Sequence, residues 1–254
     1  MTDLQALDLR AFVATCPDPL LFATVSGAHL YGFPSRDSDV DLRGAHLLPV
    51  AELIGLDEPE ETRTVMADHD GAELDLVTHD LRKFVRLMLR RNGYVLEQLL
   101  SPLVVHTTDA HAELVALAPG VLTVHHAHHY HGFARTQERL FERTGELKPL
   151  LYTFRALLTG VHLMRSGRIE ADLTRLAGEI DAAPGYLPEL IAAKAEAEHG
   201  PAAGIDPGTV ERDIEELHTV LEAARLASAL PDAATVRADL ADFVVRTRLE
   251  PPQR

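Results

Sequence analysis

Tryptophan is absent from this 254-residue chain, aromatic residues supply only 5% of it, and there is one cysteine. The lone Cys16 excludes an internal disulfide, and it lies in a loop-like Cys-Pro-Asp-Pro segment with no basic neighbour to activate the thiol. No run approaches the roughly 20 apolar residues that a membrane-crossing helix needs. The first residues, MTDLQALDLR, lack both the basic region and the apolar core of a secretion signal, so a cytoplasmic location is expected. Basic charge is scarce as well: 24 Lys and Arg stand against 39 Asp and Glu, a formal net charge of −15. That balance argues against a broad nucleic-acid footprint, which requires clustered cations. A small footprint survives at Arg82, Lys83, Arg86, Arg90 and Arg91, a stripe that reads equally well as a solvated helix face. What is present, 46% hydrophobic and 25% charged residues, is ordinary for a globular protein and excludes a disordered or fibrous chain. The length fits one large or two small domains.

The first hundred residues mix short apolar runs with turn signals, and the remainder carries helical periodicity almost throughout. This shift places a boundary near Ser101-Pro102 and divides the chain into residues 1–105 and 106–254. Residues 19–26 read as a buried strand ending at Gly27, with a helical start over Ala28 to Phe33. Residues 39–49 and 72–78 read as two further strands, alternating apolar and acidic positions. A helix capped by Asp80 follows, with Leu81, Phe84, Val85, Met88 and Leu89 on one face, and a shorter one spans 94–100. Helices are predicted near 110–118, 121–144, 149–167, 170–182, 186–198, 207–229 and 233–247. The predicted class is α+β, a mixed sheet flanked by helices and followed by an all-helical part.

The chemistry concentrates between Ser26 and Leu42. A strand delivers the chain to Gly27, whose missing side chain lets backbone amides approach a polyphosphate, and a helix start there adds the positive end of its dipole. Asp39 and Asp41 then share one strand face, about 7 Å apart by the strand rise. Carboxylates so placed repel unless cations lie between them, and oxygen-only ligands suit Mg²⁺ or Mn²⁺. Two such ions stabilise the attacking and the leaving oxygen of an in-line displacement at phosphorus. Asp75, on a later strand, completes the set of three metal-binding and catalytic acids.

Gly27-Ala28, Ser38-Asp39-Val40-Asp41-Leu42 and Leu74-Asp75-Leu76 resemble the signature elements of the DNA polymerase beta superfamily of nucleotidyltransferases. Tyr31-Gly32, Arg43-Gly44, Leu81-Arg82-Lys83-Phe84, Val95-Leu96-Glu97 and Lys148-Pro149-Leu150-Leu151-Tyr152, with Arg155 and Gly167, are similar to its bacterial and phage branch. The resemblance covers residues 20–168. It implies a nucleoside triphosphate as substrate, ATP among the possibilities, two Mg²⁺ or Mn²⁺ ions held by Asp39, Asp41 and Asp75, and a helical domain closing over the nucleotide. It makes Gly27, Ala28 and Ser38 nucleotide-binding positions. Arg36, Arg43, Lys148, Tyr152 and Arg155 become candidates for the triphosphate or base, each of which also reads as a structural or surface group. Where the family usually has Gly-Ser, this chain has Gly27-Ala28, so a phosphate contact from a serine hydroxyl is missing. Glu73 shares a face with Asp75, but Asp75 alone is flanked on both sides by apolar residues, as the family pattern asks.

The expected acceptor is an RNA or tRNA 3′ end. A protein side chain or small molecule, and a nucleotide-binding module without turnover, are the alternatives. His125 and His129, in the run His125 to His131, share a helix face and invite a zinc reading, against which a solvated face or an acceptor contact is preferred. Tyr31 and Phe33 either stack on a base or pack on neighbouring structure, with packing favoured.

Overall fold

The computed structural model describes residues 4, 7–36, 38–69, 72–196 and 204–249. In chain order the elements are α1 (Leu9–Val13), β1 (Leu20–Val25), α2 (Gly27–Leu30), β2 (Val40–His46), α3 (Val50–Ile54), β3 (Thr62–His69), β4 (Ala72–Asp80), α4 (Leu81–Leu89), α5 (Gly93–Leu99), β5 (Val104–His106), α6 (Asp109–Leu117), α7 (His126–Thr144), α8 (Leu147–Ser166), α9 (Leu173–Glu179), α10 (Leu187–Glu196), α11 (Pro207–Ala227) and α12 (Arg237–Leu249). The α+β class expected from the sequence is what these elements form. They fall into two compact units that interleave along the chain: residues 3–27, 39–121 and 233–254 in a sheet unit, and 28–38 with 122–232 in a helical unit. Periodicity divides the chain once, near residue 105. Contacts instead group α6 and α12 with the sheet, and the segment between Gly27 and Asp39 with the helices.

In the sheet unit the described strands form one mixed sheet of order β3-β4-β2-β1-β5. Only β2 and β4 run parallel, with Asp41 opposite Asp75; the remaining neighbours are antiparallel. Alternation decides which face is buried. Val40, Leu42, Leu74 and Leu76 are at most 1% exposed and form one cluster with Leu9 and Val13 of α1. Burial of such side chains contributes roughly 1.5–3 kcal/mol each, and it commits the intervening acids to the opposite face. On α4 the buried residues are Leu81, Phe84, Val85 and Met88, and Asp80 caps the helix by accepting from the Arg82 N–H at 2.9 Å. Phe84 meets Phe22 of β1 edge-on at 5.3 Å, and Phe22 stacks on His111 of α6 at 4.5 Å.

Two strands escaped the sequence reading. β3 is an edge strand with Met66 62% exposed, so its apolar alternation is weak, and β5 is three residues long.

In the helical unit α8 is buried on nearly every side, from Leu147 through Phe154 to Met164, as a helix packed on all faces must be. Residues 28–38 are fastened within this unit. Tyr31 and Phe33 are buried at 2% and 1% and meet Tyr152 edge-on, and the Leu173 N–H donates to the Tyr31 carbonyl at 3.0 Å. This is the packing role rather than base stacking. Gly32 sits at φ +80°, where an added Cβ would come within 2.3 Å of the Asp172 carboxylate that caps α9.

On α11, His218 is 4% exposed, 4.4 Å from the ring of His131 and 3.7 Å from Glu138, both on α7. Burial, and then the positive charge of Arg135, push it down to about 4. A folded-state value below that of the unfolded chain means that the neutral ring stabilises the fold at neutral pH. That contribution is lost as pH falls from about 6.5 toward 4. Between pH 7 and pH 5 the wild type is expected to lose about 2 kcal/mol more stability in urea titrations than His218→Gln. Parallel pH profiles of the two proteins would refute this.

Candidate active site

β1 ends at Val25, and Gly27 turns the chain with φ +60°. A Cβ built there would lie 1.9 Å from Asp41 Oδ2, so the space a side chain would fill belongs to the Asp41 carboxylate. The neighbouring Ser26 donates its N–H to the Asp41 carbonyl at 2.8 Å, and its own buried hydroxyl has no hydrogen-bond partner among the described residues. Gly27→Ala is therefore expected to cost roughly 1–2 kcal/mol for the left-handed backbone and to displace Asp41 as well. Urea denaturation and binding of a nucleoside triphosphate check the two effects separately, and unchanged values for both would refute this assignment. The helix that begins at Gly27 is a single turn of four residues. The dipole expected there from the sequence is accordingly slight, leaving the local amides.

β2 then presents Asp41, with Asp39 in the residue just before the strand, and β4 presents Asp75. The parallel register puts Asp41 directly beside Asp75, and one group draws the two carboxylates together. Arg43 Nη2 donates to Asp41 Oδ1 at 2.5 Å and to Asp75 Oδ2 at 3.0 Å. Its Nη1 donates to the carbonyls of Leu42 and Asp75 at 2.9 and 2.8 Å, and its Nε lies 3.4 Å from the Tyr94 hydroxyl. Burial works against its charge, but Tyr94, Asp41 and Asp75 outweigh it, and Arg43 stays above its ordinary pKa. Asp39 is exposed and stands outside this bridge.

Among the described residues no three His, Cys, Asp or Glu side chains are grouped to hold one metal ion. The structure thus brings together two of the three acids singled out by spacing. The donor set still fits a hard divalent cation. Two carboxylates converge on one positive group, Asp39 lies exposed just before β2, and a side-chain-free cradle adjoins the pair at Gly27.

The other predicted positions divide by unit. Ala28 is 8% exposed, and its carbonyl accepts from the Phe33 N–H. Ser38 Oγ, in the same segment, accepts from the Ser35 N–H at 2.9 Å and so closes a small loop. Arg36 is exposed, 3.9 Å from the equally exposed Glu196. Arg155 is 2% exposed, with its guanidinium 4.0 Å from the Tyr31 ring centre and 5.4 Å from that of Phe133. Tyr152 lines the same aromatic cage, and Lys148 is half-buried in the first turn of α8. In the histidine run, His125 stacks on His128 at 5.9 Å, and His126 is fully buried. Tyr94 was not singled out from the sequence. Only the Asn92 cap that starts α5, accepting from the Tyr94 N–H, hints at its placement.

The profile of the RNA repair pathway DNA polymerase beta family matches residues 1–246. An uncharacterized protein of Methanocaldococcus jannaschii is 31% identical over 160 residues, 61% of this chain and 64% of that protein. The uncharacterized protein YcgL of Bacillus subtilis is 28% identical over 180 residues, 67% of this chain and 66% of that one. The chain thus spans just under two thirds of the length of each of these relatives. A crystal structure of a nucleotidyltransferase-like protein from Exiguobacterium sibiricum aligns with 96% of this chain and 79% of its own, at 13% identity and a TM-score of 0.33. Among the described residues, no helix is long and apolar enough to cross a membrane.

Proposed function

Because the chain belongs to the RNA repair pathway DNA polymerase beta family, and is therefore a nucleotidyltransferase of the polymerase beta type, we propose that it transfers a nucleoside monophosphate to a hydroxyl at an RNA end. The observation that carries this reading is the in-register pair Asp41 and Asp75, whose carboxylates meet at one point beside the turn at Gly27. In the reaction the acceptor oxygen attacks the α-phosphorus of the triphosphate. A new P–O bond forms, the α–β bridge breaks, and pyrophosphate leaves with the electron pair.

Asp39, Asp41 and Asp75 are the residues that would hold two Mg²⁺ or Mn²⁺ ions. When bound, these ions neutralise charge on the entering and the departing oxygens. Asp75 is the group we assign to the acceptor side, where it receives the hydroxyl proton directly or through one water. Gly27 gives the phosphates access to backbone amides.

Two features favour RNA as the acceptor. The family is described by its place in RNA repair, and Arg82, Arg86, Arg90 and Arg91 are exposed along and just beyond α4. Arg82 is partly engaged with Glu61 at 3.2 Å, which leaves a short stripe suited to an end or a loop rather than a long duplex. A protein or metabolite acceptor is the competing form of the same chemistry, which the acidic net charge of −15 favours.

The test is incubation of the purified chain and Mg²⁺ with each labelled nucleoside triphosphate, in the presence of separate RNA, protein and metabolite pools. Label in RNA together with released pyrophosphate is expected. Label confined to protein or metabolites would move the acceptor. Tight binding of the triphosphate with no pyrophosphate from any pool would point to a binding module without turnover.

A further inference from the structure

We propose that Arg43 is a built-in counter-cation of the acid pair, holding Asp41 and Asp75 side by side before any metal arrives and competing with the ion that binds them. The inference rests on the metal-dependent reading given above. Neighbouring strands lie about 4.8 Å apart, so two carboxylates in register on one face repel unless a positive charge is shared between them. Arg43 follows Asp41 by two residues and therefore points to the same face. Its side chain is 12% exposed, against 31% for Asp41 and 26% for Asp75, so the guanidinium lies deeper than the acids it joins.

The bonds of Nη1 to the carbonyls of Leu42 and Asp75 are the decisive feature. They fasten the guanidinium to the main chain of both strands, so its position is set by the sheet and not by the carboxylates. Nη2 then reaches both acids without rearrangement. A planar fork is needed to grip backbone and side chains at once, and a lysine ammonium lacks one. The consequence is a preformed site with a handicap: the acids are in place without metal, but a fixed positive charge weakens their pull on an incoming cation.

The experiment uses the full chain, with Mn²⁺ as the probe. Binding is followed by electron paramagnetic resonance of free Mn²⁺, and thermal unfolding is recorded in EDTA and in Mn²⁺. Arg43→Met is expected to bind Mn²⁺ about tenfold more tightly, because a charge within a few ångströms of the ion is gone. It is also expected to unfold roughly 3–6 °C earlier than wild type in EDTA, and to gain more from Mn²⁺ than wild type does. Arg43→Lys keeps the charge without the fork, so it should hold Mn²⁺ as weakly as wild type while losing part of the metal-free stability.

Arg43→Met that binds Mn²⁺ no tighter than wild type overturns the proposal. If Arg43→Met fails to fold, the double variant Arg43→Met/Asp75→Asn carries the test. With the unpaired charge removed it should recover stability in EDTA, and equal instability overturns the proposal. A wild type that takes up no Mn²⁺, while the double variant recovers, defeats the metal-dependent reading and the competition with it. Loss of that recovery with Mn²⁺ binding intact defeats the role of Arg43 alone.

Discussion

Asp41→Ala is expected to reduce nucleotidyl transfer by on the order of a thousandfold or more while leaving the fold intact. Asp41 lies half-buried at a rim rather than in the apolar core, so its loss opens no cavity among Val40, Leu42, Leu74 and Leu76. Asp75→Asn should have an effect of the same order, because it removes the partner that the register puts beside Asp41. Glu73→Gln is the informative control. Glu73 occupies the same face of β4 but is exposed, it faces Asp68 of β3, and the register of β4 with β2 begins one residue later, at Val40 and Leu74. Transfer should survive that change. Pyrophosphate release measured beside far-ultraviolet circular dichroism checks both halves of the prediction, and normal turnover by Asp41→Ala would remove the basis of the proposed reaction.

The largest expected effect on stability lies in the ion pair of Arg248 with Asp80. Asp80 is fully buried, and the Arg248 side chain is 8% exposed. The guanidinium donates to both carboxylate oxygens at 2.9 and 3.0 Å and, through Nη1, to the Leu48 carbonyl at 2.7 Å. The same carboxylate accepts from the N–H groups of Leu48 and Arg82, so one acid ties the end of β4, the start of α4, the loop after β2 and α12. Arg248→Met leaves a buried charge with half its partners gone. The expected cost is about 3–5 kcal/mol, read as a shift of the urea midpoint at pH 7. Arg248→Met/Asp80→Asn should recover part of it, because no bare charge then remains. A loss below about 1 kcal/mol in the single variant would mean that water reaches Asp80 and that this junction is loosely packed.

Asp80 also shows how far a sequence can be read. Its role as a helix cap follows from its place before an amphipathic run, since an unpaired helix N–H needs a local acceptor. Its role as the anchor of α12 does not follow. Arg248 is 168 residues away in sequence, and one arginine among many carries no mark of its partner. Arg43 repeats the lesson at short range. Its nearness to Asp41 is evident from the alternation, but the bridge to Asp75 requires knowing that β2 and β4 are neighbours, parallel and in one register. Periodicity says nothing of which strands pair.

Local chemistry, then, was legible in the residues: β1, β2 and β4, the capped helix α4, the α+β class, the polymerase beta resemblance and the alternation that sets Asp41 and Asp75 on the face opposite the apolar cluster. Each rests on interactions within a few positions of the chain, where alternation, capping and turn chemistry operate. The assembled structure alone decided that residues 28–38 pack with the helices, that α12 joins the sheet unit, that the bare edge of β3 is a strand, and that a guanidinium sits between two of the acids. Those outcomes depend on side chains far apart in sequence competing for the same buried space and the same charge, which no single stretch of the chain specifies.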